Sequence, residues 1–268
     1  MKTLLITAAV AALSVTSMAV TAAHAADPYA SLDAMAPFMA ATTHCEDFDY
    51  RVDLDGTQSE VMRRAYAVAA SGVAQGDILP HFRATMQTQT DKAEAVGTLG
   101  ALRRLEAKPQ YEGIEKLFSY WSPICSRYAA SPEFASLITA PAYAKSGQPQ
   151  SYFGLIEFKA AHGDVSAMKN AASMYDNGFR PDPDKSKAHA WWLKAAEAGD
   201  ATAADAVASN FFTAYGAPKD YVEAVKWAAI SAARGGDGKT LTTLEEVIPA
   251  ADLTKGKAAA QAWLAKHK

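Results

Sequence analysis

The sequence is poor in cysteine and histidine, and it lacks most of the short motifs that mark common catalytic sites. Its 268 residues include two cysteines and six histidines. The HExxH, CxxC, GxSxG and phosphate-loop patterns are absent. No histidine lies with a second histidine or with two carboxylates at the spacing of metal ligands on a helix. The sequence therefore predicts no metal site and no cofactor, and it gives no support for an enzyme.

Long apolar runs are also scarce, and the one near the start has the pattern of a signal peptide. Lys2 precedes an apolar stretch at residues 4–20, and Ala23-His24-Ala25 forms a small-residue cleavage site. We expect cleavage near Ala25 and export to the periplasm or beyond; an uncleaved membrane anchor is the alternative. After residue 25 no apolar run approaches the roughly 18 residues of a bilayer span.

Charge and cysteine usage restrict the partners and the compartment. Removal of residues 1–25 takes away one lysine and leaves a net charge of −4. This balance argues against nucleic acid as a partner, because that binding needs concentrated Lys and Arg. Cys45 and Cys125 are an even pair in a chain expected to be exported, so we expect a disulfide between them rather than two free thiols.

Helix signals dominate residues 26–140, which we predict to be a helical N-terminal domain. Helices are predicted at about 31–41, 77–89, 91–106 and 111–121. The capping box Thr57-Gln58-Ser59-Glu60 and the sequence Ser131-Pro132-Glu133 indicate two more helix starts. The acidic stretch 45–56 is predicted to be a loop and lacks the spacing of an EF-hand. A connector at 141–150, with two prolines and a glycine, separates this domain from residues 151–268.

A period of 36 residues organises the second half of the chain. Gly163-Asp164 recurs as Gly199-Asp200, and four further residues recur at the same offset: Ala167 as Ala203, Asp184 as Asp220, Ala188 as Ala224, and Trp191 as Trp227. Repeats of this length are typical of stacked helix pairs. Small and aromatic residues recur at three- and four-residue spacing, which predicts two helices in each unit, with Gly178, Pro181 and Pro183 between them.

The order of these residues resembles the Sel1-like repeat, a relative of the tetratricopeptide repeat. The similarity covers about residues 163–236, as two complete units with half units on either side and a capping helix at the end. Arg180 stands where the family has a glycine, and Phe211 and Ala214 replace a tyrosine and a glycine in the second unit. The resemblance implies an all-α protein: a short Sel1-like α-solenoid in residues 151–268, preceded by the helical domain with one disulfide.

A few side chains of the repeats are candidates for binding. Trp191 and Trp227 are predicted to lie in the core, whereas Trp192 points about 100° away from Trp191 and is a candidate anchor for a partner. By analogy with related repeats, the first helix of each unit lines the binding surface. The candidate contacts on these helices are Lys169, Ser173, Asp205 and Ser209. Packing is the alternative role for Trp192, and a solvated helix face is the alternative for the other four.

The resemblance implies an exported, non-enzymatic module that binds another envelope or secreted protein as an adaptor or regulator. Periplasmic members of the family restrain a sensor kinase. A second hypothesis is a peptidoglycan- or β-lactam-active protein related to cysteine-rich Sel1-like proteins, although residues 163–236 contain no cysteine. A third hypothesis makes the N-terminal domain the functional part and the repeats its scaffold.

Overall fold

The computed structural model describes residues 27–102, 107–145, 151–177 and 183–267. These residues are mainly helical, with two strands of two residues each, which confirms the predicted all-α class. The signal peptide, residues 146–150 of the connector, and Gly178, Arg180 and Pro181 lie outside the described residues. In chain order the elements are α1 (Ala30–Asp33), α2 (Met35–Asp47), β1 (Arg51–Val52), α3 (Leu54–Ala70), α4 (Gln75–Val96), α5 (Leu99–Leu102), α6 (Ala107–Ala130), β2 (Ile138–Thr139), α7 (Ala142–Lys145), α8 (Tyr152–Ala161), α9 (Val165–Asp176), α10 (Lys185–Glu197), α11 (Ala201–Thr213), α12 (Tyr221–Ala233), α13 (Lys239–Val247) and α14 (Ala250–Lys266).

The chain divides into two compact units. One contains residues 27–98 and 120–141, and the other contains residues 99–119 and 142–267. In the first unit α2 packs against α4, and α1 packs against α2 and α3. Cys45 of α2 and Cys125 of α6 form the predicted disulfide, which is fully buried with a Cα–Cα distance of 5.6 Å. Strands β1 and β2 pair antiparallel, with Arg51 opposite Thr139.

Helix α3 begins three residues before the predicted capping box. Asp53 is its N-cap, and the Asp53 carboxylate accepts a hydrogen bond from the backbone N–H of Gly56 at 2.9 Å. Thr57 is buried within the helix. Glu60 binds Arg63 and Arg64 at 2.6–2.7 Å, and these hydrogen bonds, Arg63 first, lower the pKa of Glu60 to about 2. The capping-box prediction is wrong because Glu60 pairs with these arginines and Asp53 already caps the helix.

Three other predicted boundaries are wrong. The predicted helix 77–89 and the first part of the predicted helix 91–106, residues 91–96, belong to one helix, α4, which ends at Gly97 with a φ of 103°. Helix α6 continues through Pro123, because buried side chains on both sides of the proline hold the helix in the core despite the lost hydrogen bond. Ser131 begins a series of turns rather than a helix, and its carbonyl accepts from the N–H of Phe134 at 3.1 Å.

In the second unit, helices α8 to α12 pack in sequence order, each against the next. The pairs α9/α10 and α11/α12 are the two complete repeats predicted from the 36-residue period. We call α9 and α11 the A helices, and α8, α10 and α12 the B helices. Six alanines of the two complete repeats are at most 3% exposed: Ala167, Ala172, Ala188, Ala203, Ala208 and Ala224. Side chains this small let neighbouring helix backbones come close together.

Each B helix ends in the same glycine turn. Gly163, Gly199 and Gly235 have φ values of 92°, 99° and 95°. The N–H of the following residue donates to the carbonyl five residues earlier, at 3.1, 3.1 and 2.9 Å respectively. This pattern is the Schellman motif, in which glycine takes the left-handed conformation without a steric penalty. Gly199 is therefore the left-handed residue that terminates α10.

An aspartate caps the N-terminus of every helix in the two complete repeats. The carboxylates of Asp164, Asp184, Asp200 and Asp220 each accept a hydrogen bond from the backbone N–H three residues further on, at 2.8–3.0 Å. A carboxylate at this position satisfies an otherwise unpaired N–H group and interacts favourably with the helix dipole. The caps and the glycine turns together explain why the dipeptide Gly-Asp marks the period.

Helix α14 packs along α12 at the end of the array, in the position of the predicted capping helix. Gly256 makes this close approach possible, because a Cβ atom there would lie 2.5 Å from Cβ of Val225 and 2.8 Å from the carbonyl oxygen of Val222. Among the residues that the structure describes, no helix is both long and apolar enough to cross a membrane.

The 36-residue period reaches into α14. Ala260 follows Ala224 by 36 residues and is 2% exposed, and Trp263 follows Trp227 by the same interval. The rings of Trp227 and Trp263 lie 5.6 Å apart. The sequence around Trp263 thus keeps the core positions of a B helix. The prediction of two complete units does not include this similarity.

Candidate functional site

The A helices expose one polar face each, and matching positions on the two faces are 36 residues apart. On α9 this face consists of Ser166, Lys169, Asn170 and Ser173, and on α11 it consists of Thr202, Asp205, Ala206 and Ser209. All eight residues are exposed or half-exposed. Their spacing of three and four residues places them on one side of each helix. We call these eight residues the A face; it includes four of the five predicted binding residues.

Lys169 is held inside the repeat array by an ion pair. Its Nζ donates to Oδ2 of Asp200 at 2.7 Å, and the two side chains are 31% and 19% exposed. Burial would raise the pKa of Asp200, but the hydrogen bonds from Lys169 and from the backbone N–H of Ala203 lower it below its ordinary value. Lys169 therefore links α9 to the N-terminus of α11, and its charge is neutralised there.

Asp205 occupies the position of Lys169 in the second repeat and has the opposite charge. Within the described residues its carboxylate makes no hydrogen bond or ion pair. The position that corresponds to Asp200 is Gly236, which has no side chain, so the ion pair of the first repeat has no equivalent in the second. Ser173 and Ser209 stand at matching positions, half-exposed and exposed respectively. The A face is thus neutral at α9 and carries one uncompensated negative charge at α11.

The tryptophans have three different environments. Trp227 is 2% exposed, as predicted, and Trp263 of α14 packs against it. Trp191 is only half-buried, with Nζ of Lys194 4.2 Å from its ring centre. Trp192 is also half-buried, and its indole N–H donates to Oδ2 of Asp176 at 2.9 Å. This hydrogen bond joins α10 to α9, so the polar end of Trp192 already has a partner within the repeat.

The A face also contains a short motif found in some serine enzymes. Ser166-Ala167-Met168-Lys169 has the S-x-x-K spacing of serine nucleophiles in penicillin-binding proteins. In such a site the lysine must reach the serine hydroxyl. Here the ammonium group of Lys169 is bound to Asp200, and Ser166 and Lys169 share no hydrogen bond. The arrangement gives Ser166 no base.

The histidine and the cysteine of segment 44–47 are engaged in other contacts. Cys45, which the sequence places beside His44, Glu46 and Asp47, is in the disulfide, and His44 stacks on Trp121 at 4.2 Å. In residues 27–102, 107–145, 151–177 and 183–267, no group of three or more His, Cys, Asp and Glu side chains is placed to hold a metal ion.

His189 is a buried polar residue at the junction of the two repeats. It lies on α10, and its Nδ1 accepts a hydrogen bond from the side-chain amide of Asn210 on α11 at 3.3 Å. Phe211 packs edge-on against the imidazole, with the ring centres 4.9 Å apart. Burial lowers the pKa of His189, and it lowers the pKa of His44 in the first unit in the same way. Burial in the folded chain therefore favours the neutral form of both imidazoles.

Comparison with known proteins finds a likeness in structure only. No protein-family model matches the chain, and no curated protein matches it in sequence. The crystal structure of a protective antigen of uropathogenic Escherichia coli strains, which displays an SLR fold, is 16% identical with a TM-score of 0.41. The match covers 77% of this chain and 41% of that chain, so the present chain spans less than half of the antigen.

A second likeness is to the crystal structure of a Sel1 repeat protein from Oxalobacter formigenes. It is 19% identical with a TM-score of 0.33, and the match covers 77% of this chain and 75% of that one. Both descriptions name the type of repeat that residues 163–236 resemble. The helix pairs of this chain, with their aspartate caps and glycine turns, establish its own fold as a short α-solenoid.

Proposed function

We propose that this chain is an exported, non-enzymatic protein-binding module that acts in the periplasm as an adaptor or regulator. The observation that carries the proposal is the A face: two matched polar helix faces, exposed on an array of capped helices. Lys169 of α9 reaches the N-cap of α11, so the two A helices lie next to each other at this end. The surface is spread over two helices of neighbouring repeats, as are the extended binding surfaces of solenoid proteins.

The capping of the repeat helices supports a binding role. All four helices of the complete repeats are capped, and each B helix has a glycine turn at its end. A surface that is already ordered loses little conformational entropy when a partner binds. By contrast, neither Ser166 nor any other serine of the A face has the activated geometry that covalent catalysis needs.

Site-specific crosslinking in the full chain tests this proposal. A photoreactive amino acid would replace Ser209 on the A face, and a matched variant would carry it at Glu197, which is exposed at the end of B helix α10. After export and irradiation in intact cells, we expect the Ser209 variant to form a discrete crosslinked product with an envelope or secreted protein. The Glu197 variant should form little of that product.

Two outcomes would count against the proposal. Equal crosslinking at Ser209 and Glu197 would mean that contact is random, and the absence of a product from any A-face position would remove the basis for a protein partner. The enzymatic alternative is tested separately with a chromogenic β-lactam. Turnover by the mature chain that disappears in Ser166→Ala would establish catalysis and contradict the non-enzymatic role.

A further inference from the structure

The charge on the A face points to the chemistry of its partner. We propose that the A face binds an extended segment of another protein that presents one basic side chain to Asp205 among neutral, hydrogen-bonding groups. This inference rests on the proposed function and adds the class of partner to it. It also assigns Lys169, the other charged residue of the face, to the scaffold and not to the binding contacts.

The first step is the balance of charge. Lys169 and Asp200 neutralise each other at 2.7 Å, and neither is more than about a third exposed. An acidic partner would have to compete with Asp200 for the ammonium group of Lys169 and would leave a cap carboxylate without its counterion. Recognition of an acidic segment through Lys169 is therefore unfavourable.

The second step is the environment of Asp205. Its carboxylate is half-exposed and unpaired within the part of the chain that the structure describes. Its neighbours on the A face of α11 are Thr202, Ala206 and Ser209, none of which is charged. A lysine or arginine of a partner would meet one carboxylate there and no competing cation of the A face, since the ammonium of Lys169 is already occupied.

The third step is the character of the rest of the face. Ser166, Asn170, Ser173, Thr202 and Ser209 offer hydroxyl and amide groups that donate and accept hydrogen bonds. Such groups match the backbone of an extended peptide or neutral polar side chains. A segment with many charges of either sign would find no further counterion among the eight residues of the face.

A random 12-residue peptide library displayed on phage, selected against the full mature chain, tests the inference. We expect enriched peptides to carry one Lys or Arg among neutral polar residues. Resynthesised peptides should bind Asp205→Lys about tenfold more weakly, because the substitution replaces an attraction with a repulsion. Changing the basic residue of the peptide to Glu should restore binding to that variant. Lysine already occupies the equivalent position of the first repeat, so the array can accommodate it.

The control variant is Lys169→Gln, which should change the affinity for the peptide less than twofold. Enrichment of acidic peptides, equal binding to Asp205→Lys, or a large loss in Lys169→Gln would overturn the inference and leave the proposed function standing. If no peptide is enriched, the inference is overturned, and the crosslinking experiment alone decides the proposed function. Self-association of the chain that Asp205→Lys abolishes would assign the face to a second copy and would also overturn the inference.

Discussion

Replacement of Asp200 provides the sharpest test of how the repeats are held together. The carboxylate of this residue has two roles: it caps α11 by accepting from Ala203 at 2.8 Å, and it pairs with Lys169 at 2.7 Å. Loss of an N-cap costs about 1 kcal/mol, and a partly exposed ion pair contributes about 0.5 kcal/mol. We therefore expect Asp200→Ala to lower the free energy of unfolding by about 1.5 kcal/mol.

Asparagine separates the two roles, because it caps helices as well as aspartate but carries no charge. Asp200→Asn should cost only about 0.5 kcal/mol, similar to Lys169→Met. If the pair is real, the double variant should cost less than the sum of the two single variants by about 0.5 kcal/mol. The matched control is Asp164→Asn, because Asp164 caps α9 in the same way but its nearest lysine, Lys159, is 3.8 Å away.

Urea unfolding followed by circular dichroism, at low salt and with the disulfide intact, measures all of these differences. Equal losses in Asp200→Ala and Asp200→Asn would refute the assignment of a cap. A coupling energy of zero between positions 169 and 200 would refute the ion pair in solution. With a coupling energy of zero, the ammonium group of Lys169 would be available to a ligand, and the A face could then bind an acidic partner.

Three further predictions concern the core, the disulfide and pH. Gly256→Ala should destabilise the repeats by about 1–3 kcal/mol in thermal unfolding, because its Cβ would overlap α12. The control Gly76→Ala has open space around it and should be neutral or slightly stabilising. Equal effects of the two substitutions would contradict the close packing of α14 on α12. Reduction of the Cys45–Cys125 disulfide, which spans 80 residues, should lower stability by about 4–5 kcal/mol in the chain-entropy model, and an unchanged urea midpoint would refute this. Burial lowers the pKa of His189, so the unfolded chain binds a proton at this residue more readily than the folded chain does. The contribution of His189 to the free energy of unfolding should therefore be fully present above about pH 6.5, the ordinary pKa, and should decrease as the pH falls below it. The free energy of unfolding should change less with pH in His189→Gln than in the unmodified chain. A free energy of unfolding that stays constant or rises on acidification would contradict this prediction.

The features that the sequence predicts correctly depend on residues close together in the chain. Gly199 ends α10 and Asp200 caps α11 because the turn is local, and both positions can be recognised without knowledge of the rest of the fold. The disulfide is also predictable, since a chain with only two cysteines has one possible intramolecular pairing. The candidate residues of the A helices lie on the exposed side because small core residues fix the orientation of each helix.

The features that the sequence does not reveal depend on contacts between distant residues. Lys169 and Asp200 are 31 positions apart, and their ion pair forms only because α11 begins beside α9. Trp192 bonds to Asp176 for a similar reason, since the pairing of α9 and α10 brings them together. Helix α6 passes Pro123 because burial of the neighbouring side chains outweighs the local preference to break the helix.

The charge of the A face follows from a shift of one residue at the end of the second repeat. There the turn is Gly235-Gly236-Asp237, so the aspartate lies one place later than in Gly199-Asp200, and it pairs with Lys239 at 2.7 Å. A side chain at Gly236 would crowd Ser231, because its Cβ would lie 2.2 Å from Oγ and 3.0 Å from the carbonyl oxygen of that residue. A lysine at position 205 would therefore lack the counterion that Lys169 has. In the first repeat the lysine at position 169 therefore stabilises the packing of α9 and α11 through Asp200, whereas no such partner is available to a lysine in the second repeat. Position 205 can then carry an acidic residue, so the two repeats share a fold and differ in the surface that they present.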